Sequence, residues 1–161
     1  MSTIHLEVTR DDVSDALQKL LHAAENPRDA MAGIAAVMES ATERAFATES
    51  DPATGVAWDP LSEVTLAQRP HRAGGQILQD EGLLAGSIVS DFGLAYAEIG
   101  TNKVQAPTHQ FGAEQGEFGR TQRGGPIPWG DIPARPFLGI GPDDEQDILD
   151  IVRQHLVGGF L

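Results

Sequence analysis

Imidazoles, carboxylates and glycine-rich turns are the groups with which this chain could do chemistry, and their spacing decides what each can be. His5, His22, His71, His109 and His155 are scattered along the sequence. None stands in a His-Glu-x-x-His or His-x-His arrangement, the spacings that bring two ring nitrogens onto one zinc ion. The chain has no cysteine, which removes disulfides, iron–sulfur clusters and thiolate-held zinc. Ala73-Gly74-Gly75 and Arg123-Gly124-Gly125 are rich in glycine, but neither leads into the Gly-Lys-Ser/Thr of a phosphate loop, so both read as turns. Gly86-Ser87-Ile88 lacks the second glycine of a nucleophile elbow. Asp143, Asp144, Glu145, Asp147 and Asp150 lack the spacing and glycine of a calcium loop, and read as a solvated face that complements a helix dipole. A hydrolase built on His109 and an aspartate fails for want of a nucleophile at a recognisable spacing. The expectation is a protein with no catalytic residue, no metal and no cofactor.

The elements that carry these residues follow from periodicity. Val13, Leu17, Leu20, Leu21 and Ala24 recur at helical spacing behind Asp11 and Asp12, acids suited to a helix N-terminus. Asn26-Pro27 interrupts the pattern, and Pro27 is placed to open a second helix. Along that helix Met31, Ile34, Ala35, Met38, Ala41, Ala45 and Phe46 line one face, read as core. Asp51-Pro52, Gly55 and Asp59-Pro60 make a turn-rich connector around Trp58, which plugs either a core edge or an interface. A short helix is expected over residues 61–69, started by Ser62 or by Asp59-Pro60, and a helix or turn at Ile77, Leu78, Leu83 and Leu84, broken at Gly82. Ser87-Ile88-Val89 and residues 94–99 read as antiparallel strands joined across Asp91-Phe92-Gly93, with Gly100-Thr101-Asn102 ending the hairpin. His109 reads as a hydrogen-bonded histidine ending the segment Val104–Phe111.

Residues 113–130 show no periodicity and read as a binding loop or a disordered one. Pro133 and Pro136 force Ile132-Pro133-Ala134-Arg135-Pro136-Phe137-Leu138 to be extended. Asp143, Asp144 and Glu145 then open a last helix carrying Ile148, Ile151, Val152 and Leu156, with Arg153 and His155 in its last turn and Gly158-Gly159 stopping it. The fold class is α+β: N-terminal helices, a small antiparallel β-sheet with a hairpin, a long irregular loop and a C-terminal helix. It divides as one domain over 1–161, with a helical part (1–50), a connector and sheet (51–112), a flexible loop (113–131) and an extended arm with the C-terminal helix (132–161).

Twenty-four acids face 11 lysines and arginines, a net charge of −13. That surface repels a phosphate backbone, so tight binding of nucleic acid is disfavoured. The acidity serves either solubility or a wall that DNA passes without adhering, and composition does not separate the two. No apolar run reaches the roughly 18 residues of a membrane span. Residues 1–10 lack the basic start and apolar stretch of a signal peptide, so synthesis in a cytoplasm is expected.

Three local patterns remain, and all suggest packing rather than catalysis. They are Trp58-Asp59-Pro60-Leu61 with Thr65 and Arg69, then His109-Gln110-Phe111-Gly112, then Ile132-Pro133-Ala134-Arg135-Pro136-Phe137-Leu138-Gly139. In that order and spacing the chain resembles the phage virion morphogenesis family, which takes in Mu-like G proteins and is similar to tail-completion proteins of P2-like phages. Arg44-Ala45-Phe46, Asp51-Pro52 with Gly55, Ile77-Leu78 with Gly82 and Leu84, Ser87-Ile88, and Gly100-Thr101-Asn102 are further shared landmarks, so the resemblance spans roughly residues 40–157. The family's Tyr-Ala before the His-Gln stretch is replaced here by Gln105-Ala106-Pro107-Thr108.

The resemblance implies a virion protein of the head–tail junction, a ring around the DNA channel with the six-fold symmetry of tails. Its partners would be further copies of itself, a portal-side connector or adaptor, and a tail terminator or tube protein, with DNA passing through unbound and no membrane involved. A non-virion assembly factor is the alternative. Trp58, His109, Phe111, Ile132, Pro133, Arg135, Pro136, Phe137 and Leu138 are the candidate interface residues. Two prolines stiffen the arm and lower the entropy lost on docking, Arg135 can grip a carboxylate with both arms, and Phe137 and Leu138 offer apolar anchors. The opposing reading keeps Phe137 in the chain's own core, with Arg135 on a helix acid. For the channel wall, Asp143, Asp144, Glu145, Asp147 and Asp150 or Asp11, Asp12 and Asp15 are the candidate acids.

Overall fold

The computed structural model describes residues 12–158, so Asp11 and Gly159, invoked above at two helix ends, lie outside the described residues. Helix α1, Asp12–Glu25, is interrupted at Asn26-Pro27, and helix α2, Arg28–Thr48, starts from Pro27 as cap, whose carbonyl accepts from Met31 N at 2.9 Å. α2 ends where Glu49 turns left-handed, with φ 53°. That conformation is uncommon for a residue with a side chain, and here the carboxylate is used: Glu49 Oε1 accepts from Ile77 N at 2.7 Å.

α2 is the central element. The last helix, α5 (Pro142–Gly158), packs along it, α1 packs on α5, and a two-stranded hairpin lies against α2 as well. Gly33 permits the close approach of α5, since a β-carbon there would meet Ile151 at 3.3 Å. α2 buries Ala30, Ala35, Ala41, Thr42, Ala45 and Phe46, while Met31, Ile34 and Met38 of the expected apolar face are half-buried.

The face expected to be core in α1 points to solvent instead. Val13, Leu17 and Leu21 are 69, 60 and 59% exposed, and α1 buries no residue fully. Ala16, Leu20 and Ala23 are its half-buried positions, and His155 Nε2 of α5 hydrogen-bonds Ala23 O at 2.9 Å.

The hairpin is present but shifted along the chain. Strand β1, Ile88–Phe92, pairs antiparallel with β2, Ala97–Thr101, with Ile88 opposite Thr101 and Phe92 opposite Ala97. Asp91 and Phe92, expected in the turn, are strand residues, and Leu94 to Tyr96, expected in a strand, make the turn, closed by Gly93 N to Tyr96 O at 2.9 Å. The half-buried positions of β1 alternate through Ile88, Ser90 and Phe92, so the strand runs on against α2 as far as Phe92. The Arg28 guanidinium of α2 lies over the Phe92 ring, 5.3 Å from its centroid.

Helix α3, Glu63–Gln68, begins at Ser62, whose hydroxyl caps Thr65 N at 3.2 Å. A one-turn helix, α4, spans Ala106–Phe111, with Pro107 in its first turn. The core lies between these parts: Ala45 and Phe46 of α2, Trp58 of the connector, Leu84, Ala106 of α4, and Phe137 of the extended arm. Phe46 meets Trp58 edge-on at 5.8 Å and Phe137 at 5.4 Å between ring centroids, separations at which aromatic pairs attract beyond their buried area.

Residues 113–132 carry no regular element yet are not structureless. Ala113 and Ile132 exchange both backbone hydrogen bonds, at 2.9 and 2.8 Å. Further out, Gly116 N bonds Pro128 O, Phe118 N bonds Ile127 O and Thr121 N bonds Gly125 O, all at 3.0 Å or less. The segment is an irregular hairpin excursion, closed at its base and laced along its length, in which backbone bonds replace the side-chain periodicity that its sequence lacks.

Candidate functional site

The arm from Ile132 to Leu138 is fastened along its length, and the sequence patterns that stood out supply the fasteners. Prolines at 133 and 136 keep it extended, so its backbone groups need partners other than a helix or sheet. Gln110 of α4 supplies them: Oε1 accepts from Phe137 N at 3.1 Å and Leu138 N at 3.0 Å, while Nε2 donates to Leu138 O at 2.8 Å. Arg135 N donates to His109 O at 2.7 Å. Trp58 Nε1 donates to Pro136 O at 2.8 Å.

Arg135 itself is buried, and its guanidinium grips the connector: Nε donates to Asp59 O at 2.8 Å and a terminal nitrogen to Pro60 O at 3.0 Å. This is a fork, but onto two carbonyls. The expected helix acid goes elsewhere: Asp144 is buried in the first turn of α5, pairs with Arg44 of α2 and accepts from Gly141 N at 3.0 Å. Asp144 is therefore not part of a solvated acidic face, because it has both a cation and a backbone donor to satisfy.

Of the nominated interface residues, Trp58, Arg135 and Phe137 are thus inside the protomer, Phe137 with no exposed surface at all. Their packing holds α4, the connector and the arm together. Ile132, Pro133, Pro136 and Leu138 are half-buried. Phe111 differs from all of these: at the end of α4 it is 79% exposed. Gly112 follows with φ +77°, and a β-carbon there would stand 2.8 Å from Ile132 O, so only glycine lets the chain turn from α4 into the excursion.

His109 lies half-buried behind the arm, and its Nδ1 is buried with no hydrogen-bond partner among the described residues. This corrects the expectation of a hydrogen-bonded histidine. Burial, reinforced by the Arg135 charge, holds its pKa below the ordinary 6.5, so it is neutral at pH 7.

Two surfaces flank the arm, of which the sequence marked one, reading residues 113–130 as a binding or a disordered loop. One is a cleft of about 640 Å³ between α3, the turns around Leu78 and Leu84, and the arm. Arg69, Arg72 and Arg135 line it, with Asp80 and Glu81 as its acids. Arg69 and Arg72 each stand 3.6 Å from Asp80, and His71 Nε2 is 3.2 Å from the same carboxylate. The other is the excursion, where Phe118 is 55% and Trp129 74% exposed. With Phe111 at its base, it presents three bare aromatic rings. Ionic signals could not have found the cleft, since its arginines are spread over 66 positions (Arg69 to Arg135). Among the described residues no group of three or more His, Asp or Glu is placed to hold a metal ion, and no described helix is long and apolar enough to cross a membrane.

The model of the phage virion morphogenesis family matches residues 8–157, the arm and its fasteners included. The chain belongs to the phage virion morphogenesis family. Family membership covers the N-terminal helices too, further than the roughly 40–157 over which the landmarks ran. Protein G of Escherichia phage Mu is 39% identical over 125 residues, 76% of this chain and 75% of that protein. Two Mu-like prophage FluMu G proteins of Haemophilus influenzae are each 33% identical, G protein 2 over 94% of this chain and 95% of its own length, G protein 1 over 95% and 96%. No solved structure matches the chain at a significant level. The fastened arm meets the base of the excursion at the Ala113–Ile132 pair, and the rings of Phe118 and Trp129 further out are exposed.

Proposed function

We propose that this chain is a structural, non-catalytic subunit of the head–tail junction, present in the virion as a ring around the DNA channel. The single observation that carries the reading is the apolar surface left uncovered on a braced segment: Phe118 and Trp129 on the hydrogen-bonded excursion, and Phe111 at the end of α4 beside it, are each more than half exposed. Large rings left exposed on an ordered segment support a reading of protein–protein contact, and aromatic residues lead the energetics of such contacts. Further copies, a portal-side connector or adaptor, and a tail terminator or tube protein are the partners this reading supplies. The net charge of −13 supports passage of DNA without adhesion.

A second reading, an assembly factor absent from the finished particle, is favoured by the name of the phage Mu relative, which assigns that protein provisionally to capsid assembly. Quantitative mass spectrometry of purified virions separates the two. A fixed copy number equal to that of a junction ring is expected, and absence from virions alongside presence in assembly intermediates would favour the second reading.

A further inference from the structure

The two-stranded sheet has open edges, and the phase of its ladder fixes which backbone groups they expose. Gly93 N bonds Tyr96 O at the turn, and bonded and non-bonded pairs alternate along an antiparallel ladder. Asp91 with Glu98 and Val89 with Gly100 are therefore bonded pairs, and Ser90 with Ile99 and Phe92 with Ala97 are not. The N–H and C=O groups of Ala97 and Ile99 point away from β1, and none has a partner among the described residues. Those of Ser90 and Phe92 face out from the other edge in the same way. The two edges differ in what lies beside them. Ser90 Oγ donates to Glu39 at 3.0 Å, and a groove opens between Ile88 and the exposed Glu39 and Glu43 of α2, so β1 takes that charged flank. β2 pairs on the opposite side of β1 and also packs on α2. At about 100° per residue, the flank of α2 it faces carries Met31, Ile34 and Met38, all half-buried. α5 bounds that flank on its far side, through Ile151 at Gly33.

Just ahead of the described residues, the sequence supplies what that edge lacks. Ile4, Leu6 and Val8 are apolar and alternate with the polar His5, Glu7 and Thr9, the period of a strand with one buried face. We propose that residues 4–8 add as a third strand to the free edge of β2 in the same copy, with Ile4, Leu6 and Val8 over Met31, Ile34 and Met38. Beside β1 the same apolar side chains would meet the carboxylates of Glu39 and Glu43, which selects the β2 edge. Position selects the same copy. α1 starts at Asp12 and packs on α5, the helix that bounds the flank, and the steps from Val8 to Asp12 span up to about 14 Å. A third strand stabilises a hairpin that is marginal as a pair. It also closes an edge along which copies would otherwise add without limit, so the contacts of a closed ring fall to other surfaces.

Residue-resolved hydrogen exchange of the full chain tests the strand, at concentrations where light scattering shows a monomer. The Ala97 and Ile99 amides are expected to be protected together with those of Glu98 and Gly100, while the Ser90 and Phe92 amides exchange freely. Removing residues 2–8 should abolish protection at Ala97 and Ile99 and leave it at Glu98 and Gly100. Leu6→Asp in the full chain should have the same effect, and it decides the matter where the shortened chain does not fold. Free exchange at Ala97 and Ile99 in the full chain would overturn the proposal. So would protection there that neither variant changes, or protection found at Ser90 and Phe92 in their place. Protection that appears only when copies associate would hand the edge to a second copy, and so contradict the contact within one copy.

Discussion

Arg135 and Phe137 show how a residue pattern can be specific without being an interface. Phe137 has no exposed surface and sits against Phe46, so Phe137→Ala should cost about 3–5 kcal/mol of stability, read as a fall in the denaturation midpoint. Arg135 serves the same packing through two carbonyls of the connector. Its removal leaves Asp59 O and Pro60 O without that donor, and Arg135→Ala should destabilise by about 1.5–3 kcal/mol. The sequence alone left Arg135 open between an interface and the protomer's own packing; a normal melting curve would favour the interface. Gln110 was visible only as a letter in a shared motif, since an amide that satisfies three backbone groups leaves no periodic or charge signal. His109 adds a pH dependence. Its folded pKa lies below the unfolded 6.5, so as pH falls the unfolded chain takes up the proton first. Its contribution is complete above about pH 6.5 and is lost as pH drops from there through the lowered pKa. His109→Gln should flatten that part of the melting-versus-pH curve, and an unchanged slope would show that the ring nitrogen does not carry it.

Among the elements, those with local causes were readable in the sequence. Pro27 divided α1 from α2, Ser62 capped α3, and the acids at 143–145 opened α5. Elements fixed by distant partners were not. The hairpin slipped because β1 packs on α2 through alternate positions as far as Phe92, and the apolar stripe of α1 faces outward because α5 takes other positions of that helix. Asp144 joined the count of surface acids although it is 3% exposed and tied to α2. Arg44→Ala removes its cation and should loosen α5 from α2 at a cost of about 1.5–3 kcal/mol. Hydrogen exchange should localise the loss of protection to α5 and the facing half of α2; a uniform loss would deny the ion pair a local role.

In the whole molecule, the chain belongs to the virion morphogenesis family, and its core gathers α2, the connector, α4 and the arm beside an exposed excursion. The acids proposed for a channel wall now divide: Asp144 is buried and paired within the protomer, whereas Asp143, Glu145, Asp147 and Asp150 of α5, and Asp12 and Asp15 of α1, are exposed, Asp150 beside Arg153 at 2.8 Å. Within a Debye length of about 8 Å at physiological salt they would repel DNA in a close-fitting channel. Everything in that picture depends on where the protein sits. Electron microscopy of purified virions carrying an affinity-labelled copy answers it: label concentrated at the head–tail junction is the expected result, and label spread over the head shell, or at the distal end of the tail, would contradict the ring.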